Sequence, residues 1–156
     1  MNLEGEHLFK GPRQEVWDMF RDPEVLSACL PGKSHLTKID EQHFDGAINI
    51  RIGPVSGSFA GGLEVTDELP PEKCTLVVSG RGVAGFVKGI GRIQFVDQGD
   101  DTTLLKYTGE ANIGGTLASV GQRMVDSVAK TMFKAAFDSL DQSLEARLAA
   151  KVSGSD

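Results

Sequence analysis

The chain has 156 residues, 40% hydrophobic and 24% charged, with a formal net charge of -6 and a pI near 5.1. That length fits one domain with a real core, which needs neither disulfide nor metal to hold it. The acidic balance excludes an electrostatic nucleic-acid binder, because phosphate backbones demand clustered cations.

Leu3–Lys10 reads as a first strand, ended by Gly11-Pro12. Val16, Trp17 and Phe20 then give an apolar helical face, with Pro12 tolerated at the helix start. Asp22-Pro23 breaks that helix, and Asp22 is suited to cap a second short one through Leu26. A turn is expected at Leu30-Pro31-Gly32. Six further strands are predicted at Ser34–Asp40, His43–Ile52, Val55–Leu69, Cys74–Arg81, Lys88–Asp97 and Thr102–Ile113. Short turns separate them, so neighbours should pair antiparallel. Phe44, Ile48, Ile50 and Ile52 alternate with polar residues in one strand, and Leu105, Tyr107, Ala111 and Ile113 in another. One apolar and one wet face is the pattern of a half-covered sheet. The chain holds 19 glycines, most of them between Gly46 and Gly121, which predicts strong curvature.

From Gly114 a single helical segment is predicted to about Ala150, with Leu117, Val120, Met124, Val128 and Met132 on one stripe. At about 34 residues it would be roughly 50 Å long. Its last turns should therefore overhang the sheet, carrying Leu140, Leu144 and Leu148, and such a stripe caps a core or makes a homodimer. Residues 1–150 read as one domain and 151–156 as a disordered tail. The order strand, two short helices, six strands and a long helix is the helix-grip arrangement of the α+β class. A seven-stranded curved antiparallel sheet wrapped around one helix should enclose a cavity wider than that helix fills.

No convincing catalytic motif accompanies this pattern. Gly80-Arg81-Gly82-Val83-Ala84-Gly85 matches G-x-G-x-x-G, but a strand follows it where a nucleotide site needs a helix N-terminus. It reads as a wide turn. His7, His35 and His43 lie on different strands with no metal spacing. Cys29 and Cys74 fit no zinc or C-x-x-C pattern and read as reduced thiols. Met1-Asn2-Leu3-Glu4 does not open a signal peptide, and no run of about 18 apolar residues occurs. A cytoplasmic protein is expected. Gly121, inside the predicted helix, costs about 1 kcal/mol relative to alanine and so implies close packing or ligand space.

Several segments resemble one family closely. Asp22-Pro23-Glu24-Val25-Leu26-Ser27-Ala28-Cys29-Leu30-Pro31-Gly32 is similar to the signature after the first helices of the carbon monoxide dehydrogenase G-subunit family. Ile52-Gly53-Pro54-Val55 with Phe59 and Gly61, Ala84-Gly85-Phe86, and the run from Gly114 to Arg123 resemble its later motifs, in order, over about residues 1 to 145. The resemblance implies a START-like, polyketide-cyclase-like domain with a deep apolar cavity. It also implies an accessory role for molybdenum hydroxylases of the carbon monoxide dehydrogenase type, with membrane recruitment and quinone handling. The expected partners are those hydroxylase subunits, an apolar small molecule and a peripheral membrane contact. The expected cofactor is none held covalently, with a bound quinone or other lipid in the cavity.

The lining expected from these faces is Phe44, Ile48, Ile50, Phe59, Leu63, Val78, Phe86, Phe95, Tyr107, Leu117, Val120, Gly121, Met124 and Val128. Tyr107, the only tyrosine, supplies a polar handle. Phe86, among the glycines of residues 82 to 89, is expected to plug the entrance, with Gly114-Gly115 as a hinge. Two other readings stand beside the noncatalytic binding module. One is a cyclase or hydrolase acting on a hydrophobic substrate, which needs acid and base groups converging in the cavity. The other is an assembly factor with a solidly packed interior.

Overall fold

Period-two patterning gives every strand an apolar face, and pairing brings those faces into register. The computed structural model describes residues 1–30 and 34–154. Its strands are β1 (Asn2–Phe9), β2 (His35–Lys38), β3 (His43–Ile52), β4 (Val55–Leu69), β5 (Lys73–Gly82), β6 (Gly85–Asp97) and β7 (Thr103–Gly114). They form one antiparallel sheet in the order β1-β7-β6-β5-β4-β3-β2. Across its middle, Phe44 lies opposite Leu63, Leu63 opposite Val78, Val78 opposite Gly89 and Gly89 opposite Ala111, all on the inner face. Helices α1 (Arg13–Met19) and α2 (Pro23–Cys29) follow β1, and α3 (Gln122–Gly154) crosses the concave face. This is the helix-grip arrangement expected from the pattern.

Curvature comes from backbones too close for side chains. A Cβ on Gly61 would sit 1.8 Å from the Ser79 carbonyl oxygen, and one on Gly109 would sit 2.3 Å from that of Ile90. Glycine is therefore the residue that lets the sheet bend there.

Two separate apolar clusters result. The larger joins Phe9, Trp17, Met19 and Phe20 to Phe44, Val65, Phe95, Leu105, Leu140 and Leu144. Within it, Trp17 and Phe20 meet Phe95 edge-on, with ring centroids 5.5 and 5.3 Å apart. The smaller gathers Ile52, Phe59, Leu117 and Val125 at the opposite end. Asp22 caps α2 as expected, accepting from the Glu24 amide at 3.0 Å. Buried Glu15 on α1 holds the end of α3 through Lys151 and through Arg147, whose Nε is 3.7 Å away. Arg147 also reaches Asp22 at 3.4 Å.

Five expectations change. The residues from Gly115 to Val120 form a 3-10 turn, and α3 starts only at Gln122. Gly121 joins the two with φ +98, a conformation that favours glycine, so it carries no helix-interior cost. Leu140 and Leu144 do not overhang but close the larger cluster, and residues 151–154 of the expected tail continue the helix. The wide turn expected at Gly80–Gly85 is a tight hairpin, because Gly82 pairs with Gly85. Of the expected turn at Leu30-Pro31-Gly32, Pro31 and Gly32 lie outside the described residues, as do Ser155 and Asp156 of the tail.

Leu144→Ala is expected to cost about 3 kcal/mol through the cavity it leaves. Gly61→Ala should cost about 2 kcal/mol or more, since the clashing atom is backbone. Urea unfolding of both variants checks this, and a loss below about 0.5 kcal/mol for Gly61→Ala refutes the curvature argument.

Candidate functional site

Helix α3 touches the smaller cluster through Val125 and the larger through Leu140, so its middle spans the gap between them. Beneath that span the sheet presents small or short side chains. Leu76, Val78, Gly89, Gly91, Tyr107 and Ala111 face inward there, yet all remain only partly buried. Gly91 pairs with Leu76 on one side and Gly109 on the other. A Cβ built on it would meet no atom within 4 Å. The centre of the concave face is therefore hollow. Ala129, Met132, Phe133 and Ala136 of α3 lie in the spanning stretch.

A cleft of about 480 Å³ opens between α3 and the β3–β4 hairpin, lined by Ile50, Gly57, Val128 and Met132 with Asn49, Arg51, Ser56 and Ser58. A larger groove of about 670 Å³ involves the outward-facing Asp45, Gly62, Glu64 and Ser79. Alternation along the strands puts those side chains on the convex side, away from the hollow.

Tyr107 brings polarity to the apolar face. Its ring packs 5.7 Å from Phe133 and 5.9 Å from Phe137, and its hydroxyl lies over Gly5, where a Cβ would be only 2.5 Å from it. Among the described residues that hydroxyl has no hydrogen-bond partner. Desolvation raises the phenol above its ordinary pKa, so at neutral pH it is a protonated donor. Nearby, His7 Nε2 lies 2.9 Å from Asp141 Oδ1 while its ring stacks on Phe137 at 4.6 Å and meets Phe9 edge-on at 4.7 Å. With both neighbours in place, His7 fastens β1 to α3. No group of three or more metal-ligating side chains occurs among the described residues.

The sequence profile of the carbon monoxide dehydrogenase G-subunit (CoxG) family matches residues 5–145. The chain belongs to this CoxG family. Among solved structures it is similar to a conserved protein from Geobacillus kaustophilus, with 35% identity and a TM-score of 0.87 over 94% of this chain and 96% of that one. A START superfamily protein from Mycobacterium smegmatis shares 15% identity at a TM-score of 0.68, over 93% and 97% of the two chains. The Zhui aromatase/cyclase from Streptomyces sp. R1128 shares 12% identity at 0.70, over 95% of each. Those two likenesses speak for the fold alone. No curated protein matches the chain significantly.

In this CoxG-family chain the residues expected to line the cavity fall into three groups. Phe44, Leu63 and Phe95 are buried in the larger cluster, with Val78 and Tyr107 packed against it. Phe59 and Leu117 form the smaller cluster, with Ile50, Val120 and Val128 packed on it, and Ile48 lies opposite Phe59. Phe86, Met124 and Gly121 stand apart. Phe86 is 41% exposed and lies across Gly114 on the outer face, since Val87 beside it points inward. It does not plug the hollow. Met124 is 40% exposed with its sulfur over Gly53 in the β3–β4 turn, and Gly121 is exposed at the junction before α3. Both stand where the chain enters α3: Gly121 follows the 3-10 turn, and Met124, in the first turn of the helix, reaches over the β3–β4 turn instead of the concave face.

Sequence reasoning missed the floor of the hollow: Leu76, Gly89, Gly91 and Gly109. Its signal was available. Ile93 and Phe95 set the inward phase of β6, and the same phase puts Gly89 and Gly91 on the inner face.

Both thiols are held back from reaction. Burial pushes Cys29 up to about 11, and burial with the nearby Glu68 charge pushes Cys74 up to about 11. Cys29 Sγ also donates to the Val25 carbonyl at 3.2 Å. The unfolded thiols deprotonate near 9, so the folded state binds more protons above that pH. Their contribution to stability should be complete below pH 9 and fall as pH climbs toward about 11. Iodoacetamide labelling at pH 8 should accordingly be slow in the native protein and fast in urea, and rapid native labelling of either cysteine contradicts this burial.

Proposed function

We propose that this protein is a noncatalytic accessory protein whose concave hollow holds a lipid-like ligand, with a quinone favoured. On this reading it serves a molybdenum hydroxylase of the carbon monoxide dehydrogenase type, in membrane recruitment or electron delivery. One observation carries the binding role: the inner face is vacant at Gly91, midway between two well-packed clusters. Natural cores pack to crystal-like density, so space kept open by glycines between sheet and helix calls for an occupant. The Phe133 and Phe137 rings and the Tyr107 hydroxyl offer an aromatic surface with one donor. A quinone ring with a carbonyl acceptor matches that set, and aliphatic Leu76, Val78 and Met132 suit an isoprenoid tail. Family membership supports the accessory role, since the family is described as a subunit of an oxidoreductase.

A second reading, a cyclase-like enzyme, draws on the His7–Asp141 pair, which shares Phe137 with Tyr107. Against it, the imidazole is flanked by Phe9 and Phe137 and fixed by Asp141, which leaves little of it for a substrate.

Mass spectrometry of an organic extract of the purified protein should reveal a co-purified lipid, and calorimetric titration with decylubiquinone should saturate. Tyr107→Phe should weaken that titration about tenfold by removing one hydrogen bond to the ligand. Gly91→Leu should abolish it while leaving the melting temperature unchanged or higher, because the new side chain fills open space. No extractable lipid together with no saturable binding by the wild type refutes the binding role. Equal binding by Gly91→Leu would move the site elsewhere.

A further inference from the structure

Charge is distributed along this chain in a way that the fold turns into a surface. None of the 22 acidic residues falls within residues 46–63, 73–96 or 111–125. The fold gathers the turns of those three segments at one end of the sheet. A Cβ on Gly57 in β4 would sit 2.8 Å from Ala84 Cβ in the β5–β6 turn, and the Leu117 amide donates to the Ala84 carbonyl at 2.8 Å. Phe86 lies across Gly114, and Met124 covers Gly53.

That end presents Arg51, Arg81, Lys88 and Arg123, all exposed. Among the described residues none of the four forms an ion pair. Three arginines elsewhere are neutralised: Arg21 by Glu68 at 2.6 Å, Arg92 by Glu110 at 3.2 Å and Arg147 by Asp22 at 3.4 Å. Between these cations at the acid-free end stand exposed apolar side chains. Val83, at the apex of the β5–β6 turn, is fully exposed, and Phe86 beside it is 41% exposed. The cleft that contains Ile50 and Met132 opens at this same end, next to Arg51.

We propose that this end is the face by which the protein docks on an anionic lipid bilayer. Val83 and Phe86 enter the headgroup layer, and the surrounding cations lie over lipid phosphates. A chain of net charge -6 is repelled by such a surface in most orientations. Here the acid-free end turns toward it and the acidic remainder turns away, so charge selects one orientation. An acidic protein partner would also attract the cations. Apolar groups at the tips of protruding turns suit a fluid surface better, since a rigid partner would need matching pockets. The proposal rests on the ligand-binding reading in one respect: a lipid-like ligand leaving by the cleft emerges at the bilayer.

Sedimentation of the full chain with extruded vesicles tests this. Vesicles of phosphatidylglycerol and phosphatidylcholine should retain it at low salt and release it progressively at higher salt, and pure phosphatidylcholine should not retain it. Each cation near an anionic surface is worth about 1 kcal/mol, or about fivefold in partition. The triple variant R81Q/K88Q/R123Q should therefore partition about a hundredfold more weakly, and Val83→Asp should also bind less. Removing three charges elsewhere, as K10Q/K73Q/K106Q, should leave most binding intact. Equal loss in both triple variants, equal retention on the two vesicle types, or retention only by hydroxylase subunits overturns the docking face.

Decylubiquinone titration without vesicles separates this proposal from the reading it builds on. Wild-type protein that binds decylubiquinone but no vesicles defeats the docking face, and membrane recruitment by this chain with it, and leaves the ligand reading standing. Protein that docks through these cations but takes up no ligand defeats the ligand reading and leaves the docking face standing.

Discussion

Leu140 and Leu144 of α3 are 4% and 2% exposed, wedged among α1 and the base of the sheet, and Gly11 lies directly beneath Leu144. Glu15 adds Lys151 and Arg147 to the same junction, and Val125 secures the other end of the helix. A rigid helix pinned at both ends cannot follow a sheet that curves away between them. The sheet is committed to that curvature by close backbone approaches, such as Gly61 against Ser79. The hollow at Gly91 is the geometric remainder of these two demands.

That origin bears on how the site works. Its ends are well packed and hold the shape, while its walls are glycines, alanines and flexible side chains that set few constraints on an occupant. Chemistry inside is sparse, with one phenol as an unpartnered donor and a His–Asp pair already engaged in joining β1 to α3. Such a space favours retention of an apolar molecule over its transformation.

Net charge alone would misrepresent the surface. The overall value of -6 averages an acid-free end with a remainder that holds every carboxylate. At the base Arg21, Arg147 and Lys151 are engaged by Glu68, Asp22 and Glu15, whereas Arg51, Arg81, Lys88 and Arg123 at the other end form no ion pair among the described residues. The polarity follows the long axis of the strands, and the cleft lies at the cationic pole. Among the described residues no helix is long and apolar enough to cross a membrane, so any bilayer contact by the helices is made from its surface.

Much of this was legible in the chain. Alternation at Phe44, Ile48 and Ile50 and at Leu105 and Tyr107 determined the strands and their inward faces, and short turns determined their antiparallel order. Asp22-Pro23 marked α2, because capping is a local interaction between neighbours. Family motifs marked the fold and its kinship. Tertiary structure decided what depends on partners distant in sequence. Gly121 looked like a costly helix residue until its positive φ separated a 3-10 turn from α3. Phe86 looked like a plug until pairing of Gly82 with Gly85 tightened the turn and turned its ring outward. The hollow at Gly91 belongs to neither strand nor helix. It exists only where a bent sheet and a straight helix part, and no local pattern encodes a gap between two elements.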